Sequence, residues 1–273
     1  MSNNILVCGN GPSCKEIDFT RVPEDSKIMR VTNFYFEEMY YAGKKVDFYV
    51  DYIKRLDNQY FNIRTMNDKG EYDFDMENTW WTVMFEENPH FPTIKSCTEF
   101  IQRVPLIAEF RCFYEYYYGK YLPTGIQAIA LAVCMGYENV YLAGFDLFSD
   151  MNNMHSYVDG RKSIETMRGY KKTSVYDSGA DTTGGELSAL EAFEYIHKTH
   201  PESMQINFLR LLEKLFPKMK LMSVCETSAI NEYIGLAPTY AQTPWYTPIE
   251  KPANRTRDWY TLPESMPSRK VIT

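Results

Sequence analysis

Four histidines, His90, His155, His197 and His200, are the side chains whose ordinary pKa of about 6.5 suits general base chemistry near neutrality. His90 lies between prolines and His155 in a polar loop, while His197 and His200 flank a helix junction, where an exposed histidine at a helix end is the plainer explanation. Asp73-Phe74-Asp75 spells a D-x-D pair of carboxylates of the kind that holds a divalent cation on a diphosphate. It sits beside Glu71 and Glu77 in a polar stretch, as a solvated acidic loop would. Gly9-Asn10-Gly11-Pro12-Ser13 forms a glycine turn whose amides and side chains can meet a nucleotide. It departs from the dinucleotide fingerprint, because Cys14 occupies the third glycine position and Pro12 removes a backbone N–H, so a dehydrogenase is disfavoured. A tight turn without a ligand is the alternative.

These residues need a scaffold, and the sequence supplies one. Ile5-Leu6-Val7-Cys8 is an apolar run entering the glycine turn, as in the first β-α unit of a doubly wound fold. Residues 27–32 and 46–50 are rich in strand formers, with a helix-compatible segment around Phe36–Tyr41 stopping at Gly43. Residues 57–78 read as a polar surface excursion, after which Trp80–Phe85 resumes a strand pattern. Ile126, Ile129, Ala130, Val133 and Cys134 follow helical spacing from Thr124 to Gly136, and Val140–Gly144 is another buried strand ending in Phe145-Asp146. Residues 149–184 are rich in Ser, Asn, Asp and Gly, and a connection of that length is expected to be an active-site lid. A helix over Leu187–Lys198, a second starting after His200-Pro201 and a strand over Lys220–Val224 complete the pattern. The division expected is a nucleotide-binding Rossmann-type part over 1–148, a lid over 149–199, completion of the Rossmann-type domain over 200–238 and a Pro-rich tail over 239–273. The fold class is α/β, a mostly parallel sheet with helices on both faces.

The chain has 273 residues, 44% of them hydrophobic and 24% charged, enough for a full globular core. Its formal net charge of -7 argues against nucleic acid as a partner, because phosphate-backbone binding needs a basic surface. The six cysteines form no C-x-x-C pair, which points away from a zinc ribbon or redox motif and toward buried thiols. No apolar run reaches the roughly 18 residues of a membrane span, and the polar start lacks a signal-peptide n-region, so a cytoplasmic place is expected. Tyrosine and phenylalanine are abundant, 22 and 16, and most of them must serve packing because a site can use only a few.

The order Asn10-Gly11-Pro12-Ser13, Arg30-Val31-Thr32-Asn33-Phe34-Tyr35-Phe36-Glu37, Tyr40-Tyr41-Ala42-Gly43-Lys44-Lys45, Thr124-Gly125, Gly136-Tyr137, Tyr141-Leu142-Ala143-Gly144-Phe145-Asp146, Glu213-Lys214 and Cys225 resembles the bacterial sialyltransferases of glycosyltransferase family 42, up to about Pro238. The resemblance implies a Rossmann-type domain (a GT-A variant) with a lid, a CMP-sialic acid donor, a glycan acceptor, inversion at the anomeric carbon, no cofactor or essential metal, and a homo-oligomer, commonly a tetramer. Asn10 and Gly11, with Ser13 beside them, fall where the family meets the nucleotide, and Asn33 falls at the cytidine ribose region. Thr124 and Gly125 lie at the helix start facing the donor phosphate, and Gly144 and Asp146 at the cytidine. Counting back from Glu213-Lys214 makes His200 the first choice of base.

Some positions depart from the family. Phe148 stands where one phosphate-binding tyrosine is expected, Tyr157 is the candidate for the other, Tyr121 replaces an arginine, and Asp51 or Tyr52 replaces an asparagine. A related nonulosonate donor is therefore an option. Peripheral contact of the protein with the inner face of the cell membrane is a further option. Two other readings stand beside the transferase: a catalytically altered nucleotide-binding protein, and a metal-dependent nucleotide or diphosphate transferase using Asp73 and Asp75.

Overall fold

The computed structural model describes residues 3–51, 63–64, 66–75, 80–83, 94–149, 156, 194 and 197–251. Eleven strands run in chain order among these residues: β1 (Asn4–Cys8), β2 (Lys27–Val31), β3 (Met39–Tyr40), β4 (Lys45–Val46), β5 (Phe48–Asp51), β6 (Asp73–Phe74), β7 (Trp80–Thr82), β8 (Lys95–Ser96), β9 (Asn139–Ala143), β10 (Lys220–Ser223) and β11 (Ile249–Glu250). The α-helices with their ends described are α1 (Cys97–Gln102), α2 (Pro105–Tyr118), α3 (Thr124–Cys134) and α4 (Glu202–Leu215). Seven strands form one sheet in the order β10-β9-β1-β2-β5-β7-β8. Every pairing in it is parallel, with Ile5 opposite Lys27 on one side and Val140 on the other.

A parallel sheet is covered on both faces, so its central strands are apolar throughout rather than alternating. Ile5 and Val7 of β1, Val50 of β5 and Leu142 of β9 pack with α1 to α4 in one core. The intervening Leu6 and Cys8 face a second cluster with Cys14, Phe19, Tyr41 and Val224. Next to it, Tyr49 and Trp80 meet Phe34, Tyr72, Phe74 and the helical residues Ile63 and Met66 in an aromatic core whose rings pack edge to face. Among the described residues, this second face is covered by short 3-10 turns, two-stranded ribbons, the helical residues Ile63 and Met66 and the C-terminal segment.

The segment around Phe36–Tyr41 is not the helix its composition suggests. A 3-10 turn over Phe34–Phe36 leads to β3, which pairs antiparallel with β11. Burial of Phe34, Tyr35 and Tyr40 in the aromatic core overrides the local preference. Within the stretch read as a surface excursion, β6 pairs with β4 and buries Phe74. The tail wraps the body as far as Lys251: Trp245 Nε1 donates to the Val22 carbonyl at 2.6 Å, and its ring meets Phe19 edge to face. The expected lid lies outside the described residues except for Ser149, Ser156, Glu194 and residues 197–199.

The sheet order reverses at β1. The chain moves outward through β2, β5, β7 and β8, then returns to lay β9 on the other side of β1. That reversal opens a crevice beyond the carboxyl ends of β1 and β9, where ligands of open α/β sheets bind.

Candidate active site

The turn after β1 and the turn after β9 are locked together. Gly9 N donates to the Ala143 carbonyl at 2.8 Å, and Gly11 N donates to the Gly144 carbonyl at 2.9 Å. The backbones approach so closely that a Cβ on Gly144 would lie 2.7 Å from the Gly9 carbonyl oxygen and 2.9 Å from Cys14 Cβ, and Gly144 itself has φ +70°. Only glycine satisfies both constraints. Asp146 then closes the turn: its Oδ2 accepts from the Ser13 backbone N–H at 2.9 Å, at the start of the 3-10 helix Pro12–Glu16.

Around this junction lies a cleft of about 210 Å³, lined from β1 by Gly9, Asn10 and Gly11, from β2 by Val31 and Thr32, from α3 by Pro123, Thr124, Gly125 and Ile126, from β9 by Gly144 to Phe148, and finally by His200 and Gln205. Among the described residues, the three non-glycine residues with positive φ, Thr32 (42°), Leu147 (53°) and Phe148 (56°), all line it. Such conformations cost of order 1–3 kcal/mol each and cluster where a structure holds a ligand. Asn10 ties two edges of the cleft together, its Nδ2 donating to the Val31 carbonyl at 3.1 Å and to Thr32 Oγ1 at 2.8 Å. Both of its N–H donors are thereby used, leaving Oδ1 as the atom for an incoming donor group. The backbone carbonyl of Asn10 also accepts from Ser156 N at 2.7 Å, so one point of the expected lid docks at this turn.

Opposite stands the amino end of α3. Pro123 caps it without a side-chain hydrogen bond, so its first backbone N–H groups have no capping acceptor from that side chain, and the helix dipole makes this end favourable for an anion. Gly125 lets Phe145 close in, since a Cβ there would lie 3.0 Å from Phe145 Cε1.

His200 completes the cleft. Its Nδ1 is bonded to the Tyr121 backbone carbonyl. A carbonyl only accepts, so Nδ1 carries the proton and Nε2 keeps its lone pair. Burial pushes the imidazole below its ordinary value, with the Tyr121 carbonyl acting in the opposite sense. Two more bonds hold the junction: Tyr121 N donates to the Thr199 carbonyl at 2.9 Å, and Gln205 Nε2 donates to the His200 carbonyl at 2.9 Å.

Of the residues singled out in the sequence, Asn10, Gly11, Thr124, Gly125, Gly144, Asp146, Phe148 and His200 meet in this cleft. Ser13 is buried just behind it, Asn33 is buried next to Thr32 with its Oδ1 accepting from Tyr35 Oη at 3.2 Å, and Asp51 is buried at the end of β5; none of these three lines it. Tyr157 lies outside the described residues. Asp73 and Asp75 are exposed on and beside β6, away from the cleft lining, and His197 does not line it. Sequence reasoning missed Thr32, Phe145, Leu147 and Gln205, and the orienting role of the Tyr121 carbonyl. Gln205 did carry a signal: it is a polar residue within the buried stripe Phe208, Leu209 and Leu212 of α4.

Fold and site together define a Rossmann-type α/β protein whose switch-point cleft is lined by a helix amino end and by a histidine held through Nδ1 on a backbone carbonyl. The profile of the family described as Alpha-2,3-sialyltransferase (CST-I) matches residues 3–235. The chain belongs to this family and is a sialyltransferase. Among solved structures, the sialyltransferase CST-II in complex with CMP is similar with a TM-score of 0.74 and 25% identity over 92% of each chain. CstII from Campylobacter jejuni in complex with CMP-3FNeuAc gives 0.73 and 25%, again over 92% of each. The monofunctional alpha-2,3-sialyltransferase Cst-I from Campylobacter jejuni shares the fold at 0.75 and 23% identity, covering 97% of this chain and 90% of that one. No curated protein matches the sequence.

Proposed function

We propose that the chain transfers sialic acid, or a related nonulosonate, from a CMP-activated donor to a glycan hydroxyl with inversion at the anomeric carbon. The observation that carries this reading is the placement of His200: Nδ1 is fixed on the Tyr121 carbonyl, so Nε2 is the basic atom of a residue lining the same cleft as the α3 amino end. Nε2 removes the proton of the acceptor hydroxyl, the hydroxyl oxygen bonds to the anomeric carbon, and the bond from that carbon to the phosphate oxygen breaks. CMP leaves with the negative charge. The amides of Thr124 and Gly125 receive it where charge grows in the transition state. Tyr157 is the further donor assigned to the leaving phosphate, and residues 149–199 are the lid that excludes water. The cytidine is assigned to Asn10, Gly11, Gly144 and Asp146, with Ser13, Asn33, Asp51 and Phe148 as further substrate-binding residues. Complexes of the similar CST-II proteins with CMP and with CMP-3FNeuAc support the donor, and one with a trisaccharide acceptor and CMP supports the glycan acceptor. No essential metal or cofactor is assigned.

The reading also places the protein in the cytoplasm, with peripheral contact at the membrane's inner face; among the described residues no helix is long and apolar enough to cross a membrane. Self-association is assigned to α2, which exposes Leu106, Phe113, Tyr116, Tyr117 and Tyr118 while Arg111 pairs with Glu115 at 2.8 Å. Incubation with CMP-sialic acid and an array of acceptor glycans, read by mass spectrometry, tests the function: one acceptor gains a single sialyl residue while CMP is released. Free sialic acid with no acceptor gaining mass contradicts it.

A further inference from the structure

We propose that Lys251, brought in by the C-terminal strap, is a positioning residue for the donor side of the cleft; this rests on the nucleotide being bound in the cleft that Thr32 lines beside Asn10. That turn is held by a buried charge cluster. Arg30, in β2 immediately before Val31 and Thr32, pairs with Glu37 across residues 31–36, both side chains 1% exposed. Arg30 also stacks on the Phe34 ring, 4.6 Å from its centroid, inside the same turn. Burying two charges is costly unless geometry and hydrogen bonds compensate, so Glu37 needs every partner it has. Tyr72 Oη donates to Glu37 Oε1 at 2.9 Å, and Lys251 Nζ stands 3.9 Å from the same oxygen.

Lys251 reaches the cleft side by two hydrogen bonds in series. Its Nζ donates to the Tyr35 carbonyl at 3.1 Å, and the Tyr35 hydroxyl donates to Asn33 Oδ1 at 3.2 Å, one residue from Thr32. It also donates to Tyr72 Oη and lies over the rings of Tyr40 and Tyr72, at 5.0 and 4.7 Å. A lysine with its side chain 2% exposed is far more fixed than a surface tail requires. The ribbon of β11 on β3 and the Tyr246 hydroxyl on the Tyr40 carbonyl at 2.5 Å deliver it there. Thr32, held at φ 42°, is the strained residue that this clamp keeps against Asn10. The strap therefore acts on donor binding through Asn33 and Thr32 without touching the donor.

The test compares Lys251→Met, which keeps the stem and removes the charge, and Tyr72→Phe, which removes the shared hydroxyl, with the core variant Val133→Ala. CMP affinity is read by calorimetry, and kcat and donor KM are measured on the full chain. Both cluster variants are expected to weaken CMP binding and raise donor KM, by about tenfold for Lys251→Met and less for Tyr72→Phe, with kcat kept. Val133→Ala lowers Tm while CMP affinity stays. Lys251→Arg restores most of the affinity. Unchanged CMP affinity in folded Lys251→Met or Tyr72→Phe overturns the inference. An unmodified protein that does not bind CMP overturns instead the donor reading on which it rests.

Discussion

At the scale of single residues the proposed chemistry turns on one proton. His200 donates its Nδ1–H to the Tyr121 carbonyl, so Nε2 is the basic atom, and burial holds the ring neutral at pH values where an exposed histidine is charged. The sign follows directly: a base whose pKa is lowered stays active further into acid, so the acid limb of kcat/KM is expected below the ordinary histidine value of about 6.5. A limb above that value contradicts the assignment. His200→Ala is expected to lower transfer by at least about a hundredfold with CMP affinity nearly unchanged, because the proposed role of the histidine is toward the acceptor and not the nucleotide. His197→Ala, on a residue three positions earlier that does not line the cleft, is expected to cost little; the reverse pattern moves the base to the other histidine.

At the scale of elements, the site depends on loops that meet where strands end. Gly144→Ala forces a Cβ into φ +70° and within 2.9 Å of Cys14 Cβ, so it is expected to lower stability by more than about 1 kcal/mol and to weaken CMP binding with it. Denaturant midpoints and calorimetry check this; a variant with native stability and CMP affinity contradicts the locked-turn account. Asp73 and Asp75 stand exposed by β6, so the double Asp→Ala variant in EDTA is expected to keep most of its transfer activity. Complete loss restored by Mn²⁺ or Mg²⁺ reverses that. Most of this framework was legible in the sequence. The apolar runs of β1 and β9 and the helical spacing of α3 read directly, because elements buried on all sides carry unbroken hydrophobic signals. Residues 36–41 did not, because their strand forms only when Tyr40 finds Tyr72 and β11, partners distant in the chain. In the cleft, the glycine turn announced itself through residue type, whereas Asp146 was reached only through the resemblance to the family 42 sialyltransferases. The carbonyl that orients His200 could not, since any residue at position 121 supplies one.

Two properties belong to the whole molecule. One is the self-association proposed for α2: Tyr116 is 83% and Tyr117 73% exposed, and replacing both by Glu is expected to convert the proposed oligomer to a monomer without loss of fold. Light scattering that finds the same mass before and after the change contradicts α2 as the interface. The other is ligand-linked stability, since the cleft joins β1, β2, β9, α3 and the His200 junction, and a ligand bound there stabilises only the assembled native state. CMP at about a hundredfold excess over its Kd is worth about 2.7 kcal/mol, which raises Tm by roughly 5 °C or more for a chain of this size. The melting temperature measured with CMP, CMP-sialic acid, UDP, GDP and NAD is therefore the most direct test of a switch-point cleft built for a CMP-linked donor. The account predicts a rise with the two cytidine ligands and none with the other three; a rise with UDP and none with CMP contradicts it.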